Sequence, residues 1–329
     1  MKMVGEGNRK QVISQRKCPQ QEGADTMRNQ TKAYILTFFV ITFWATAASA
    51  FKIALRFVSP YTLLLYSTLF SCFSLFIILC SQGKLDRLIH SKPKVLIKAA
   101  LLGFLNPFLY YVVLFKAYAV LPGQIAMSLN YGWPLMLTLL SAPILGQKLS
   151  KSQLLAVVIS FIGAIIIATK GEFTSLGDVS TLGVVLAIGS TLIWALYWLF
   201  NARDGLEPVV KLFIGFCFGL LFTTLYGLMI GGIEIPPAGA WLPLTYVSLF
   251  EMSITFTLWL TALQLTTSAA RIGNLIYITP FFSLLILSLV VGESIHPATF
   301  FGLLLIVGSI LFQAHSGRES GKDRHGGAD

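Results

Sequence analysis

Long apolar runs follow one another along almost the whole chain, and they limit its fold more than any other feature. A helix needs about 20 mainly apolar residues to cross roughly 30 Å of hydrocarbon. Ten stretches meet that requirement: 33–55, 59–81, 95–118, 121–146, 152–169, 179–200, 208–231, 241–265, 267–291 and 297–314. The runs are continuous rather than alternating, so the strands of a membrane barrel are not expected. Helices satisfy each backbone group within one segment, as the bilayer core requires. Pro and Gly mark the junctions at Ser59-Pro60, Leu121-Pro122-Gly123, Gly146 and Gly292. The sequence therefore predicts an all-α membrane protein of ten transmembrane helices.

Composition agrees. Only 12% of the 329 residues are charged and 55% are hydrophobic, against about 25% charged in a soluble domain. That is too little charge to clothe a water-facing surface, and lipid is expected to cover much of it. A net charge of +10 raises nucleic acid as a partner, but the basic residues sit in tails and short loops and form no basic face. Cys18, Cys72, Cys80 and Cys217 have neither CxxC spacing nor a common loop, so no disulfide framework, metal site or cofactor is expected. Residues 1–32 and 315–329 are polar, and read as disordered tails.

Charge also orients the chain. An even number of spans puts both termini on one side. Lys84, Arg87, Lys92, Lys94, Lys148, Lys151 and Arg203 join the two basic tails there, while the other side receives Lys52, Arg56, Lys116 and Lys170. The positive-inside rule places the termini in the cytoplasm, with Lys52 and Lys116 expected to snorkel.

The fourth and ninth spans resemble each other. YGWPLMLTLLSAPILGQKL (131–149) aligns with YITPFFSLLILSLVVGESI (277–295), pairing Tyr131 with Tyr277, Pro134 with Pro280, Gly146 with Gly292 and Gln147 with Glu293. Trp44 and Trp194 match at a nearby offset. A unit of five spans is odd, so its second copy must cross the bilayer in the opposite sense. Two inverted five-helix repeats follow, 33–171 and 177–314. Inverted repeats are a recurrent plan of secondary transporters, with the substrate near midplane.

On FWATAASAFKIAL in the first span, the two Pro…Gly elements and the five-plus-five repeat, the chain resembles the EamA family of the drug/metabolite transporter superfamily. The resemblance implies a ten-helix exporter of the bacterial inner membrane, with a small-molecule substrate and no enzymatic activity. In that family the fourth-span element usually ends in Gly-Glu. Glu293 keeps the carboxylate here and Gln147 does not. The string Asn130-Tyr131-Gly132-Trp133-Pro134 is similar to one in members that export aromatic amino acids.

Candidate substrate residues cluster around these elements. Glu251 falls near the centre of the eighth span, where a carboxylate costs at least about 2.5–3.5 kcal/mol to insert. It suits proton coupling or pairing with a substrate ammonium, and a purely structural, hydrogen-bonded role competes with both. Asn106, followed by Pro107, takes the related place in the first half and predicts a polar pair in one cavity. Pro107, Pro134 and Pro280 lie inside spans, where each removes a helical hydrogen bond. Asn130, Tyr131 and Trp133 adjoin one proline, and Asn274 and Tyr277 another. On a continuous helix Asn130 and Pro134 share a face. The resemblance implies that Trp44 and Trp194 stand beside the cavity, with helix packing the competing reading for the aromatics, and Arg271 is placed either to meet an anionic substrate group or to reach the lipid headgroups. No GxxxxGK[ST] string occurs, which excludes ATP as the chain's own energy source. His90, His296, His315 and His325 lie in loops or tails, so neither an enzymatic nor a metal constellation forms. A non-transporting receptor or membrane-embedded enzyme is the alternative.

Overall fold

A computed structural model describes residues 19–89, 93–146, 149–172, 179–201, 207–231, 233–266 and 269–322, and all their side chains except those of 19–26, 89, 269–271, 274 and 314–322. The described residues are helical, with no strand among them. Among the described residues seven helices are long and apolar enough to cross a membrane, and shorter apolar helices accompany them. In chain order the elements of the first half are α1 (Pro19–Ala54), α2 (Pro60–Ser81), α3 (Pro93–Val120), α4 (Gly123–Asn130), α5 (Trp133–Leu145) and α6 (Lys151–Thr169). The second half carries α7 (Thr181–Asn201), α8 (Pro208–Ile230), α9 (Ala238–Leu265), α10 (Ala269–Ile276), α11 (Thr279–Val291) and α12 (Pro297–Lys322).

Local chemistry sets the boundaries. Ser59 caps α2 by accepting from the Thr62 amide at 3.1 Å, ahead of Pro60 in the first turn. Ser150 and Gln153 form a reciprocal capping box on α6, the arrangement that satisfies two orphan amides at once. Gly146 and Gly292 end α5 and α11 with φ of 67° and 79°, a left-handed conformation that a Cβ disfavours.

Three differences from the sequence reading have physical causes. The expected fourth span is two helices, α4 and α5, turning at Tyr131-Gly132, and the ninth breaks likewise between α10 and α11. Pro134 and Pro280 each enter the first turn of the second helix, where a missing amide hydrogen is harmless. The continuous face assumed for Asn130 and Pro134 therefore does not exist. Residues 19–32 and 315–322, expected as disordered, continue α1 and α12. Extending an existing helix needs no new nucleus, and Gln, Glu, Ala, Lys and Arg propagate it readily.

The two halves pack in matching ways. α1 lies against α9 and α11, and its counterpart α7 against α3 and α5. Helix α2 packs on α8, and α6 on α12. Both α3 and α9 contain a π-helical stretch at the related place, Phe104–Leu109 and Val247–Ser253, the kind of bulge that often marks functional sites. Large apolar side chains such as Phe73, Met229, Leu242 and Leu289 point outward, a surface that suits lipid rather than water.

Candidate functional site

One large cavity, about 590 Å³, lies between the two halves, within the size range of small-molecule sites. Helices α1, α3, α7 and α9 form its walls, and the breaks between α4 and α5 and between α10 and α11 enter it. Of the residues anticipated from sequence, Trp44, Asn130, Tyr131, Trp133, Trp194, Glu251 and Tyr277 line it. The aromatic rings form a chain. Tyr110 packs on Trp194 at a centroid distance of 4.6 Å, Trp194 on Phe256 at 5.7 Å, and Trp44 on both Phe256 and Trp259.

Glu251 sits in the π-helical stretch of α9 with 9% of its surface exposed. The Tyr111 hydroxyl donates to its Oε1 at 3.0 Å. Its Oε2 is buried and has no hydrogen-bond partner among the described residues. A buried carboxylate oxygen left in that state is an open acceptor. Asn130, the last residue of α4, is held on both sides of its amide. Tyr110 donates to Oδ1 at 3.3 Å, and Nδ2 donates to Ser190 Oγ at 2.8 Å. Ser190 passes the bond on to the Ala187 carbonyl. The network ties α4 to α3 and α7 beside the break at Tyr131. Asn130→Leu is expected to destabilise the protein by about 1–3 kcal/mol, because the Tyr110 hydroxyl is left without its acceptor. Thermal unfolding in detergent measures the loss.

Asn106 departs from expectation. It is buried at 2% exposure and does not line the cavity. Its backbone is extended (φ −147°, ψ 122°) inside the π-helical stretch of α3, which carries the side chain off the helical face that Glu251 holds in α9. Pro107, next to it, packs on Gly219 of α8. Both ends of the Asn106 amide are without partners among the described residues. Arg271 and Asn274 lie on α10, but their side chains are outside the described residues, as are those of His315 and His325. The sequence reading missed Tyr110, Tyr111, Ser190, Phe256 and Trp259. Each earns its place through tertiary neighbours, and only the Tyr110-Tyr111 pair, directly after the Pro107 bulge, offered a local signal.

A helical bundle that encloses an aromatic cavity and turns apolar side chains outward defines a multi-pass membrane protein with an internal cavity. The sequence matches the EamA-like transporter family over residues 31–169 and again over 181–314, once for each half, and the chain belongs to that family. It is 23% identical over 288 residues to the uncharacterized transporter YvbV of Bacillus subtilis, covering 85% of this chain and 91% of the relative. An uncharacterized transporter of Archaeoglobus fulgidus is 27% identical over 172 residues, 52% of this chain and 57% of that one. A solved crystal structure shares the fold with a TM-score of 0.62 at 21% identity, covering 88% of this chain and 98% of the other.

Proposed function

We propose that the protein is a secondary transporter of the bacterial inner membrane. It works by alternating access, as two inverted five-helix repeats (33–171 and 177–314) that make ten crossings, with both termini in the cytoplasm. Its substrates are amino acids or related small metabolites, moved outward. The observation that carries this reading is the cavity itself: it lies between the halves, is walled by aromatic rings and contains a buried carboxylate with an open acceptor. Rings offer flat apolar surfaces, while Glu251 and the Asn130 amide supply the few polar groups that orient a ligand. A substrate ammonium over an aromatic face gains a further attraction. The broken helices support the same reading, since irregular backbone at membrane depth is tolerated where it lines a cavity. The roles follow from position. Asn130, Tyr131, Trp133, Tyr277, Trp44 and Trp194 contact substrate, Glu251 pairs with its ammonium or carries the coupled proton, and Arg271 and Asn274, carried on α10, complete the set of proposed substrate residues.

Flux through the purified protein in proteoliposomes tests the proposal. Labelled amino acids, purines, sugars and organic cations are offered against an imposed pH gradient. Movement of amino acids that is saturable and competed by unlabelled substrate is the expected result. A protein that moves none of the four classes is not such a transporter. In detergent, a true substrate at 100 times its Kd is expected to stabilise the folded protein by about 2.7 kcal/mol, seen as a raised melting temperature.

A further inference from the structure

The cavity is unequal at its two ends. Towards the end that carries the tails its lining reaches Leu145, Gln153 and Leu263, at the termini of α5, α6 and α9. Towards the other end it stops below Phe51, Tyr118 and Met127. Just beyond these, the halves are tied together. Glu293 follows the Gly292 turn and places its carboxylate over the first turn of α4, where Oε1 accepts from the Gly123 amide at 2.8 Å and Oε2 from the Gln124 amide at 3.1 Å. Gln124 answers with its side chain: Nε2 donates to the Ser294 carbonyl at 2.8 Å and Oε1 accepts from the His296 amide at 3.0 Å. Lys52, expected to snorkel, instead turns inward and donates to the Leu121 carbonyl at 3.0 Å and to that of Tyr118 at 3.2 Å. Anions are favoured at a helix N-terminus by the free amides and the dipole. This carboxylate comes from the other half of the molecule.

The repeat does not carry this carboxylate in both halves. At the related place in the first half stands Gln147, and the partners related to Gly123 and Gln124 are Ala269 and Ala270. An amide oxygen carries no full charge and presents one acceptor atom where a carboxylate presents two. Resting on the transporter reading, we infer that Glu293 is a positioning residue for transport, a latch that shuts the outer end of the cavity by binding the N-terminus of α4 across the repeat interface. The resting protein therefore faces inward, the orientation an exporter needs to load from the cytoplasm. To release outward, the carboxylate must leave the Gly123 and Gln124 amides.

Accessibility tests the latch without any substrate. Cys18, Cys72, Cys80 and Cys217 are replaced by Ser, and one reporter is added at a time: Met127→Cys in the outer part of the cavity, or Leu137→Cys towards the inner mouth. Labelling by a membrane-impermeant maleimide is followed in right-side-out and inside-out vesicles. Glu293→Gln is expected to raise outside labelling of the Met127→Cys reporter by at least about tenfold for the loss of charge-assisted bonds, and Gln124→Ala, which keeps both amides on the carboxylate and loses two neutral bonds to Ser294 and His296, to raise it by less. Inside labelling of the Leu137→Cys reporter falls in the same variants. Unchanged outside labelling overturns the inference. So does a rise at both reporters together, which marks general loosening rather than a gate. If Glu293→Gln does not accumulate, Glu293→Asp decides instead, because it keeps the charge but draws the carboxylate back from the Gly123 and Gln124 amides, and the same rise in outside labelling is expected. Absence of solute movement in the unmodified protein would count against the transporter reading and not against these labelling results.

Discussion

Replacing Glu251 by Gln is expected to cut substrate flux roughly 10- to 100-fold, the factor that a charge-assisted hydrogen bond contributes, and to remove the dependence of flux on pH. The side chain keeps its size and can still accept from Tyr111. What it loses is the charge and the ability to take up and release a proton. Among the described residues the titratable groups around Glu251 are tyrosines, with Tyr110, Tyr118 and Tyr131 close enough to act on it besides Tyr111. None of these is cationic, which leaves room for a proton or a ligand to balance the carboxylate. The variant is expected to fold as well as the parent, or better, because a carboxylate is expensive inside a membrane protein. A melting curve in detergent checks that before flux is compared. Flux in the Gln variant that keeps the parent's rate and pH profile would remove Glu251 from the mechanism. Tyr111→Phe offers a graded comparison: it takes away one neutral donor and should cost flux less than the Gln substitution.

The parts of this site visible in sequence are those the repeat repeats. Tyr131 and Tyr277, with Pro134 and Pro280, stood out because two spans carry them at the same spacing, and in the structure both tyrosines stand at helix breaks beside the cavity. Glu251 stood out because a carboxylate in an apolar run demands an explanation. Asn106 shows the limit of the same logic. It occupies the related position, and both places have π-helical backbone, yet one residue with extended φ and ψ sends its side chain elsewhere. Periodicity could not show that. Nor could it show that the fourth and ninth spans are interrupted, since proline tells where a hydrogen bond is missing and not whether the helix bends or stops. Ser190, Tyr111 and Trp259 were invisible for a different reason. They matter only because α7, α3 and α9 converge on the cavity, and an apolar span does not reveal which of its faces meets lipid and which meets protein. Glu293 was noticed as a departure between the halves, but its partner is a pair of backbone amides, which no side-chain motif records.

Substituting Leu for Gly163 is expected to destabilise the protein by about 1–3 kcal/mol at least. Helices α6 and α12 close the two ends of the repeat against each other, and they cross where Gly163 meets Gly302. A Cβ on either glycine would stand 2.6 Å from the carbonyl oxygen of the other. The obstacle is backbone on both sides, so no rotamer change relieves it, and the helices must separate. Separation forfeits the close van der Waals packing that holds helices together when lipid offers no hydrophobic penalty. Gly308, a turn and a half further along α12, has open space around its Cβ position and serves as the control: Gly308→Leu should leave the melting temperature near the parent's, while Gly163→Leu and Gly302→Leu lower it. The crossing lies away from the cavity lining, so whatever fraction of the Gly163→Leu protein folds should bind ligand with unchanged affinity. If all three variants melt with the parent, the two helices are not in the contact described, and the joint between the repeats must be made elsewhere.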